Sequence, residues 1–334
     1  MRKAIAAGFA AATLLATTAT PASAATVIDG FWDSTTTGGA EAQTLTDDCG
    51  SGGGTRYVDD NGFCWIDDGG SVELGVKFTT SKQVKIGGIR VYRVDSGDDM
   101  TGTLWEVTDW DGEQVTGEKL TSGTFATTSE HGWQDLVFDA PVDIAPGATY
   151  VASYYAPNAD YAFEWGFFAG TALTVGPLTA TASIEGDRNG VFCYGDSCGL
   201  PTESYKDTNY WVTPLLWEYD FGGYQQPIDT AVMNKAKAGS AIPIRFSLGG
   251  DEGLDILREG YPKATKIACE TSAPTDTIEE TVTSGFSTLK YDSATDQYTY
   301  IWKTAKTTMA NNCYKFELGL DDWSSQTFKV SFVK

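Results

Sequence analysis

Histidine is nearly absent from this chain of 334 residues, which contains only His131. A Ser-His-Asp hydrolase would have to use that residue as its base, and no Gly-x-Ser-x-Gly motif accompanies it. A zinc site needs three or four nitrogen or sulfur ligands, which one histidine cannot supply when the cysteines are oxidised. The shortage argues against both kinds of site, and we predict that His131, which precedes Gly132, is a surface-turn residue.

Lysine and arginine are also scarce. The chain has 23 of them and 45 Asp and Glu residues, which gives a formal net charge of −22. This balance disfavours attraction to nucleic acid and to anionic lipid. An acidic surface keeps a secreted protein soluble, and it also attracts Ca²⁺, which prefers oxygen ligands. We therefore expect no nucleic-acid partner, and Ca²⁺ is the one cofactor that the composition leaves open.

An apolar run long enough to remain as a membrane anchor is missing as well. Residues 1–24 begin with Arg2 and Lys3, continue with a short apolar run and end in a small-residue site at 22–24. This order is typical of a secretory signal peptide that is later removed. We predict a secreted, extracellular protein without a membrane span.

Six cysteines permit fifteen pairings, yet they fall in three neighbouring pairs along the chain. In an oxidising compartment such pairs are structural links far more often than catalytic or metal-binding groups. We predict three local disulfides: Cys49–Cys64, Cys193–Cys198 and Cys269–Cys313.

The first two thirds of the chain show strand patterns. Val72, Leu74, Val76 and Phe78 alternate with other residues, which is the period of a strand with one face in a core. Further strand-like runs follow without a comparable helical period, at 86–94, 104–107, 133–138, 150–155 and 210–212. Many strands without helices predict an all-β fold, and we assign residues 25–218 to a jelly-roll-like β-sandwich.

Glycine and proline mark residues 219–228 as a linker to a second module. After it Ile242, Ile244, Phe246 and Leu248 alternate with other residues, and similar series recur up to residue 332. A module of about one hundred residues with one internal cysteine pair matches an immunoglobulin-like β-sandwich. We predict this sandwich for residues 229–334, with a short helical turn at most at 253–260.

The first module carries an ordered set of motifs: Leu74-Gly75-Val76-Lys77-Phe78, Thr101-Gly102-Thr103-Leu104-Trp105, Gly132-Trp133-Gln134, Tyr150-Val151-Ala152-Ser153-Tyr154-Tyr155 and Asn209-Tyr210-Trp211-Val212. Through these motifs residues 31–217 resemble a bacterial family of secreted β-sandwich domains of unknown function. The resemblance implies a binding or spacer module without an established catalytic site. The chain departs from the family's pattern at Met100, where a histidine is common.

The second module carries Pro243-Ile244-Arg245-Phe246 within 237–250, together with motifs at 253–256 and 298–303. It resembles a bacterial C-terminal exported domain from the family named for a PxKF motif, with Arg245 in place of the lysine. That family has no assigned function, so the resemblance implies export and names no activity.

Aromatic side chains are the main functional lead, since flat rings of Trp and Tyr stack on the apolar faces of sugars. Trp105, Trp133 and Trp211 lie in strand-like motifs and are predicted to be core residues. Of the other rings, one lies in a predicted polar turn, and several lie within residues 154–168. That segment has more rings than one buried face can hold. The predicted carbohydrate-binding residues are Trp110, Tyr154, Tyr155, Tyr161 and Trp165, with Phe168 in the same crowded segment.

Acidic side chains supply two weaker hypotheses. Glu164 lies between Phe163 and Trp165, where desolvation raises the pKa of a carboxyl as a glycosidase acid requires, but the sequence places no second carboxylate beside it. None of the acidic loops matches the full spacing of an EF-hand. The candidate calcium ligands in these loops are Asp95, Asp98, Asp99, Asp109 and Asp111.

Export, two β-sandwich modules and surplus aromatics together predict a secreted, monomeric, non-catalytic protein. Its predicted ligand is an extracellular or cell-wall glycan or another cell-envelope component. The alternative is a structural or adhesive module that binds proteins through exposed strand edges or loops. A glycoside hydrolase ranks third, because it needs only two carboxylates across a sugar cleft.

Overall fold

The computed structural model describes residues 26–37, 49, 55–94, 99–110, 115–128, 130–196, 198–273, 280–281 and 289–334. The predicted signal peptide lies outside these residues, as do Asp95, Asp98 and Asp111. Within the described part almost all regular secondary structure is β-strand, and the one α-helix is the single turn α1 (Lys306–Met309). The predicted all-β fold class is therefore confirmed.

The first fifteen strands surround one hydrophobic core, to which all of them except the first and the fourteenth contribute buried or packed side chains. These strands are β1 (Thr26–Ile28), β2 (Thr55–Val58), β3 (Cys64–Asp67), β4 (Val72–Thr80), β5 (Val84–Arg93), β6 (Thr101–Trp110), β7 (Val115–Thr124), β8 (Gly132–Ile144), β9 (Thr149–Ala156), β10 (Asp160–Phe163), β11 (Leu173–Val175), β12 (Leu178–Ala180), β13 (Val191–Tyr194), β14 (Glu203–Ser204) and β15 (Val212–Glu218).

Two antiparallel sheets face each other across this core. One has the strand order β1-β15-β5-β8, and the other has the order β11-β12-β4-β9-β6-β7, with β13 paired to both β4 and β14. The sheets approach closely where glycine leaves room, since a Cβ atom at Gly102 of β6 would lie 2.7 Å from Leu136 Cδ2 of β8. The result is a β-sandwich.

Strand β4 is buried on both faces, whereas its alternating sequence pattern predicted only one buried face. Leu74, Val76 and Phe78 point into the core, as predicted. Glu73 and Lys77 lie on the opposite, outer face of the sheet, yet they are only 7% and 9% exposed. Their burial shows that a later part of the chain covers this outer face.

A smaller sheet of order β10-β3-β2 packs beside the end of β5. Phe63, next to β3, stacks on Tyr92 of β5 with ring centroids 3.6 Å apart. The disulfide Cys49–Cys64 ties the start of β3 to the preceding loop. This sheet therefore presents side chains from three short strands at one end of the sandwich.

The remaining strands form a second pair of sheets around a second core. Their orders are β16-β18-β22-β21 and β17-β24-β23-β19-β20, and β17 runs parallel to β24. The strands are β16 (Tyr224–Gln225), β17 (Met233–Lys237), β18 (Ala241–Phe246), β19 (Lys263–Ile267), β20 (Glu280–Thr281), β21 (Lys290–Asp292), β22 (Gln297–Lys303), β23 (Cys313–Gly319) and β24 (Ser325–Val333).

Residues 219–228, predicted as a linker, contain strand β16 and pack against the second core through Tyr219 and Tyr224. Residues 253–260 form no helix, and Leu257 makes an isolated bridge with Leu320. The domain boundaries themselves stay a prediction.

The three predicted disulfides are confirmed, and no cysteine is free. Among the tryptophans predicted for the core, Trp211 is buried and Trp133 packs partly buried against the core. Trp105 is different, because it is half-buried on the outer face of the large sheet and donates a hydrogen bond to Ser153 Oγ at 2.8 Å.

Candidate functional site

A cleft of about 320 Å³ opens on the three-stranded sheet at the end of the sandwich. Its volume is in the range of small-molecule sites. Four of its eight lining side chains are tyrosine or tryptophan. The residues that line this aromatic cleft are Arg56, Ile66, Asp68, Tyr161, Phe163, Trp165, Tyr205 and Tyr210.

Strand register places the first residues of the cleft. Ile66 on β3 is the register partner of Arg56 on β2 and of Tyr161 on β10. Register partners on neighbouring strands project from the same face of a sheet. Arg56, Ile66 and Tyr161 therefore form one row across the sheet, and Phe163 follows two residues beyond Tyr161 on the same face.

A second segment, residues 205–210, completes the cleft and is fixed by backbone hydrogen bonds. Glu164 and Asn209 exchange two N–H to O bonds of 2.9 Å, and the Gly166 N–H donates to Lys206 O at 2.8 Å. Lys206 and Asp207 have φ values of 52° and 53°, a left-handed conformation that non-glycine residues rarely adopt. Such strain persists where the surrounding structure enforces it.

The rings of the cleft meet at defined angles. The centroid of Trp165 lies 5.2 Å from that of Phe163 in a tilted arrangement and 6.3 Å from that of Tyr205 at 80°. Tyr205 is 50% exposed, and Trp165 is partly exposed. Two rings at nearly a right angle therefore form an open corner at the mouth of the cleft.

Two cations contact the tryptophan of this corner. Lys206 Nζ lies 3.6 Å and Arg56 Cζ lies 4.6 Å from the Trp165 ring centroid. Both distances are within the range of cation–π attraction. Trp165 is therefore held in place by its charged neighbours as well as by Phe163.

A carboxylate and two phenols form the polar wall. Asp68 Oδ2 accepts a hydrogen bond from Tyr161 OH at 3.2 Å and another from Tyr194 OH. Burial raises the pKa of Tyr161 above its ordinary value and that of Tyr194 to about 12. Both phenols therefore stay protonated at neutral pH and act as donors toward Asp68.

The predicted sugar-binding residues separate into several places. Tyr161 and Trp165 come together in the aromatic cleft. Tyr155 lies on the outer face of the large sheet, where its hydroxyl donates to Asp196 at 3.0 Å. Trp110 ends strand β6, and its side chain is outside the described part.

Tyr154 and Phe168 require a correction, since both are buried in the core, at 1% and 0% exposure. Neither ring is available for stacking on a ligand from solvent. Successive side chains of a strand point to opposite faces, so Tyr154 faces the core while Tyr155 faces outward. The crowded aromatic segment thus serves both a core and a surface.

Sequence reasoning missed Arg56, Tyr205 and Lys206. Tyr205 and Lys206 lie about forty positions after Trp165 in a turn-rich segment with no alternation. Arg56 is a single basic residue on a short strand. No signal in the sequence brings these three side chains together, because only long-range backbone pairing places them side by side.

The weaker candidates lie outside the cleft lining or on its rim. His131 is exposed directly before β8, with its ring edge-on to Trp65 at 5.3 Å, which confirms a surface position but not a turn. Glu164 is exposed beside the cleft, and desolvation by its neighbours raises the pKa of its carboxyl.

Across the described residues, no cluster of three or more metal-binding side chains is found. Of the calcium candidates, Asp99 is exposed in a turn and Asp109 belongs to β6, so a calcium site stays a prediction.

Two further findings describe the chain as a whole. Within its described part, no helix has the length and apolar character needed to cross a membrane. The three disulfides are consistent with an extracellular protein.

Comparison with known proteins identifies one domain. The model of a family described as a domain of unknown function (DUF4082) matches residues 60–212. No curated protein matches the chain. The matched segment contains β3 to β14 and every lining residue of the aromatic cleft except Arg56. The predicted resemblance to a family of unknown function is supported at this level, and the resemblance of the second module stays a prediction. The central part of this chain is thus similar to a domain family whose function is unknown.

Proposed function

We propose that this protein is secreted, does not catalyse a reaction, and binds extracellular or cell-wall carbohydrate in the aromatic cleft. The observation that carries the proposal is the open corner of Trp165 and Tyr205 above a wall of phenol and carboxylate groups. A sugar ring has an apolar C–H face and a rim of hydroxyl groups. The corner offers an aromatic ring for the apolar face of the sugar and hydrogen-bonding groups for its hydroxyl groups.

The geometry assigns separate roles to the two exposed rings. Tyr205 is the half-exposed stacking surface. Trp165 is the side wall, because Lys206 Nζ already lies 3.6 Å from its centroid. Asp68 accepts hydrogen bonds from sugar hydroxyls with its remaining lone pairs, and Arg56 supplies donors in a fixed fork.

Secretion is supported by the disulfides. The bridges Cys49–Cys64, Cys193–Cys198 and Cys269–Cys313 use every cysteine of the chain. Disulfides persist in oxidising compartments and are rare where thiols are kept reduced. The sequence before residue 25 has the order of a secretory signal, which agrees with this location.

The test is a glycan array followed by polysaccharide pull-down with the protein after removal of residues 1–24. We expect retention of at least one glycan class, and we expect Tyr205→Ala and Trp165→Ala to weaken it about tenfold or more, which corresponds to about 1.4 kcal/mol. Tyr57→Ala is the matched control, since Tyr57 is an exposed ring, at 39%, on the opposite face of the same sheet. Retention of no glycan, or equal loss in all three variants, contradicts the proposal.

Two additional measurements separate the other functional classes. Bound glycan recovered intact, with no new reducing ends, agrees with a non-catalytic role, and turnover that Glu164→Gln abolishes would show a glycosidase. Pull-down by cell envelopes before and after protease treatment tests the protein-interaction alternative. Loss of binding after protease would show that the partner is a protein.

A further inference from the structure

A chain segment crosses the outer face of the large sheet. This strap segment, residues 194–204, follows β13, which pairs with β4, and returns through β14, which pairs with β13. Leu200 reaches β7 on the far side, because a Cβ atom at Gly117 would lie 2.7 Å from Leu200 Cδ2. The segment therefore spans β4, β9 and β6, and the disulfide Cys193–Cys198 fastens its first part.

Beneath the strap segment lies a cavity of about 390 Å³. The strap cavity is walled by Val107, Val151 and Val191 of the sheet and by Leu200 and Pro201 of the strap segment. Its lining contains no aromatic ring, in contrast to the aromatic cleft. Aliphatic walls suit an aliphatic ligand, whereas sugar recognition favours flat rings.

One charged group is buried in this lining. The Lys77 side chain is only 11% exposed, and its ammonium group donates to Asp187, whose side chain is 53% exposed. An ammonium group has three N–H donors, and in the described part of the chain Asp187 is the one acceptor bonded to Nζ. The ammonium group therefore keeps N–H donors that no protein acceptor in the described part of the chain uses, and an acceptor bound in the cavity could receive them.

We propose that the strap cavity binds an aliphatic carboxylate, with the carboxylate on Lys77 and the hydrocarbon chain against Val151, Val191 and Leu200. Two cations, Lys77 and Arg188, and one carboxylate, Asp187, line the cavity, so its charged groups favour an anionic head. The valine and leucine side chains favour an aliphatic body. Thr149, Thr202 and Ser204 also line the cavity and provide hydroxyl groups near the chain. None of the residues that line this cavity lines the aromatic cleft, so the proposal is independent of the proposed carbohydrate binding.

The test uses octanoate as the probe, with 1-octanol and octylammonium as neutral and cationic comparisons. Each probe is titrated into the protein, and binding is measured by calorimetry and by the methyl NMR signals of Val107, Val151, Val191 and Leu200. We expect saturable binding of octanoate, shifts confined to these methyl groups, and binding at least tenfold weaker for the other two probes.

Lys77→Met is expected to weaken octanoate binding at least tenfold. Lys85→Met is the matched control, because Lys85 is a similarly buried lysine, 14% exposed, paired with a half-exposed Asp143 on the opposite sheet. If Lys77→Met does not fold, the methyl shifts in the unmodified protein still decide the question. Absence of those shifts, equal binding of 1-octanol, or equal loss in the Lys85 variant would overturn the proposal.

Discussion

The aromatic cleft and the strap cavity belong to the same sandwich and enclose similar volumes, about 320 and 390 Å³. Each lining contains one arginine and one aspartate, but the other side chains differ. Aromatic rings and phenols dominate the cleft, whereas aliphatic side chains, hydroxyl groups and one buried ammonium line the cavity. The change occurs between neighbouring residues, since Ser204 lines the cavity and Tyr205 lines the cleft.

One sandwich thus carries two sites with different lining side chains. The cleft is built where three short strands and a strained turn meet at the end of the sandwich, so large side chains have room to stand open. The cavity is built on the outer face of the large sheet, beneath a segment that crosses several strands. Position in the fold decides which side chains line each site, and those side chains decide which ligand class it suits.

The largest expected effect comes from Gly190, where the two regions touch. Gly190 has a φ of 71°, and a Cβ atom there would lie 1.7 Å from Thr208 O in the segment that carries Tyr205 and Tyr210. We expect Gly190→Ala to lower the free energy of unfolding by about 3–5 kcal/mol, from the backbone clash and the left-handed conformation together. Glycan and octanoate binding should fall together.

The control for this change is Gly176→Ala. Gly176 also has a positive φ, 55°, but a Cβ atom there meets no atom within 4 Å. We expect it to cost only about 1 kcal/mol, from the conformation alone. Denaturant unfolding of both variants provides the measurement, and equal costs would show that the approach to Thr208 is not what holds the two regions together.

A second prediction concerns Glu73, a buried carboxyl on the outer face of β4. Burial raises the pKa of Glu73 to about 7 from an ordinary value of 4.5, and the hydrogen bond from Ser153 opposes the rise only in part. The folded state therefore holds a proton that the unfolded chain has released between these two pH values. Stability should fall as pH rises from about 4.5 to about 7, by roughly 3 kcal/mol for this group.

Glu73→Gln mimics the neutral carboxyl and removes this titration. Relative to the unmodified protein, the variant should be more stable at pH 8 by up to about 3 kcal/mol and little changed at pH 4.5. Urea unfolding at the two pH values measures the difference, and Glu118→Gln on the exposed face of β7 controls for loss of one negative charge. An unchanged pH dependence would contradict the raised pKa of the buried Glu73 carboxyl.

The smallest expected effect sharpens the role of Trp165 in the cleft. Lys206→Met removes the ammonium group that lies 3.6 Å from the Trp165 ring centroid. We expect a loss of about 0.5–1 kcal/mol in stability, as for an exposed cation–π pair, and altered tryptophan fluorescence. Because methionine still lies against the ring, glycan retention should change by no more than about twofold.

Lys119→Met, at an exposed lysine of β7, is the control for this change. A loss of glycan binding in the Lys206 variant alone would mean that the ammonium contacts the ligand directly. That result would assign Lys206 to the binding surface and leave Trp165 as its support.

Local patterns predicted much of the fold. The alternation around Leu74, Val76 and Phe78 placed β4 with the correct face inward, and the spacing of the cysteines predicted all three bridges. Neighbouring residues carry this information, since strand period and short disulfide loops depend on separations of a few residues. The outer face of the same strand could not be predicted, because Asp187, which pairs with Lys77, and β13, which pairs with β4, follow it by more than a hundred residues.

For the candidate site, the amino-acid sequence by itself determined the chemical inventory: many rings, few cations, one histidine and a disulfide-linked β framework. It also marked Tyr161 and Trp165 as candidate binding residues, together with Trp110, Tyr154 and Tyr155. Only the tertiary structure decided that Tyr154 is a core residue, that Tyr205 and Lys206 meet Trp165, and that Lys77 is buried beside a cavity. The physical reason is that side-chain environment depends on which distant strands and turns pack together, and long-range pairing leaves no periodic trace along the chain.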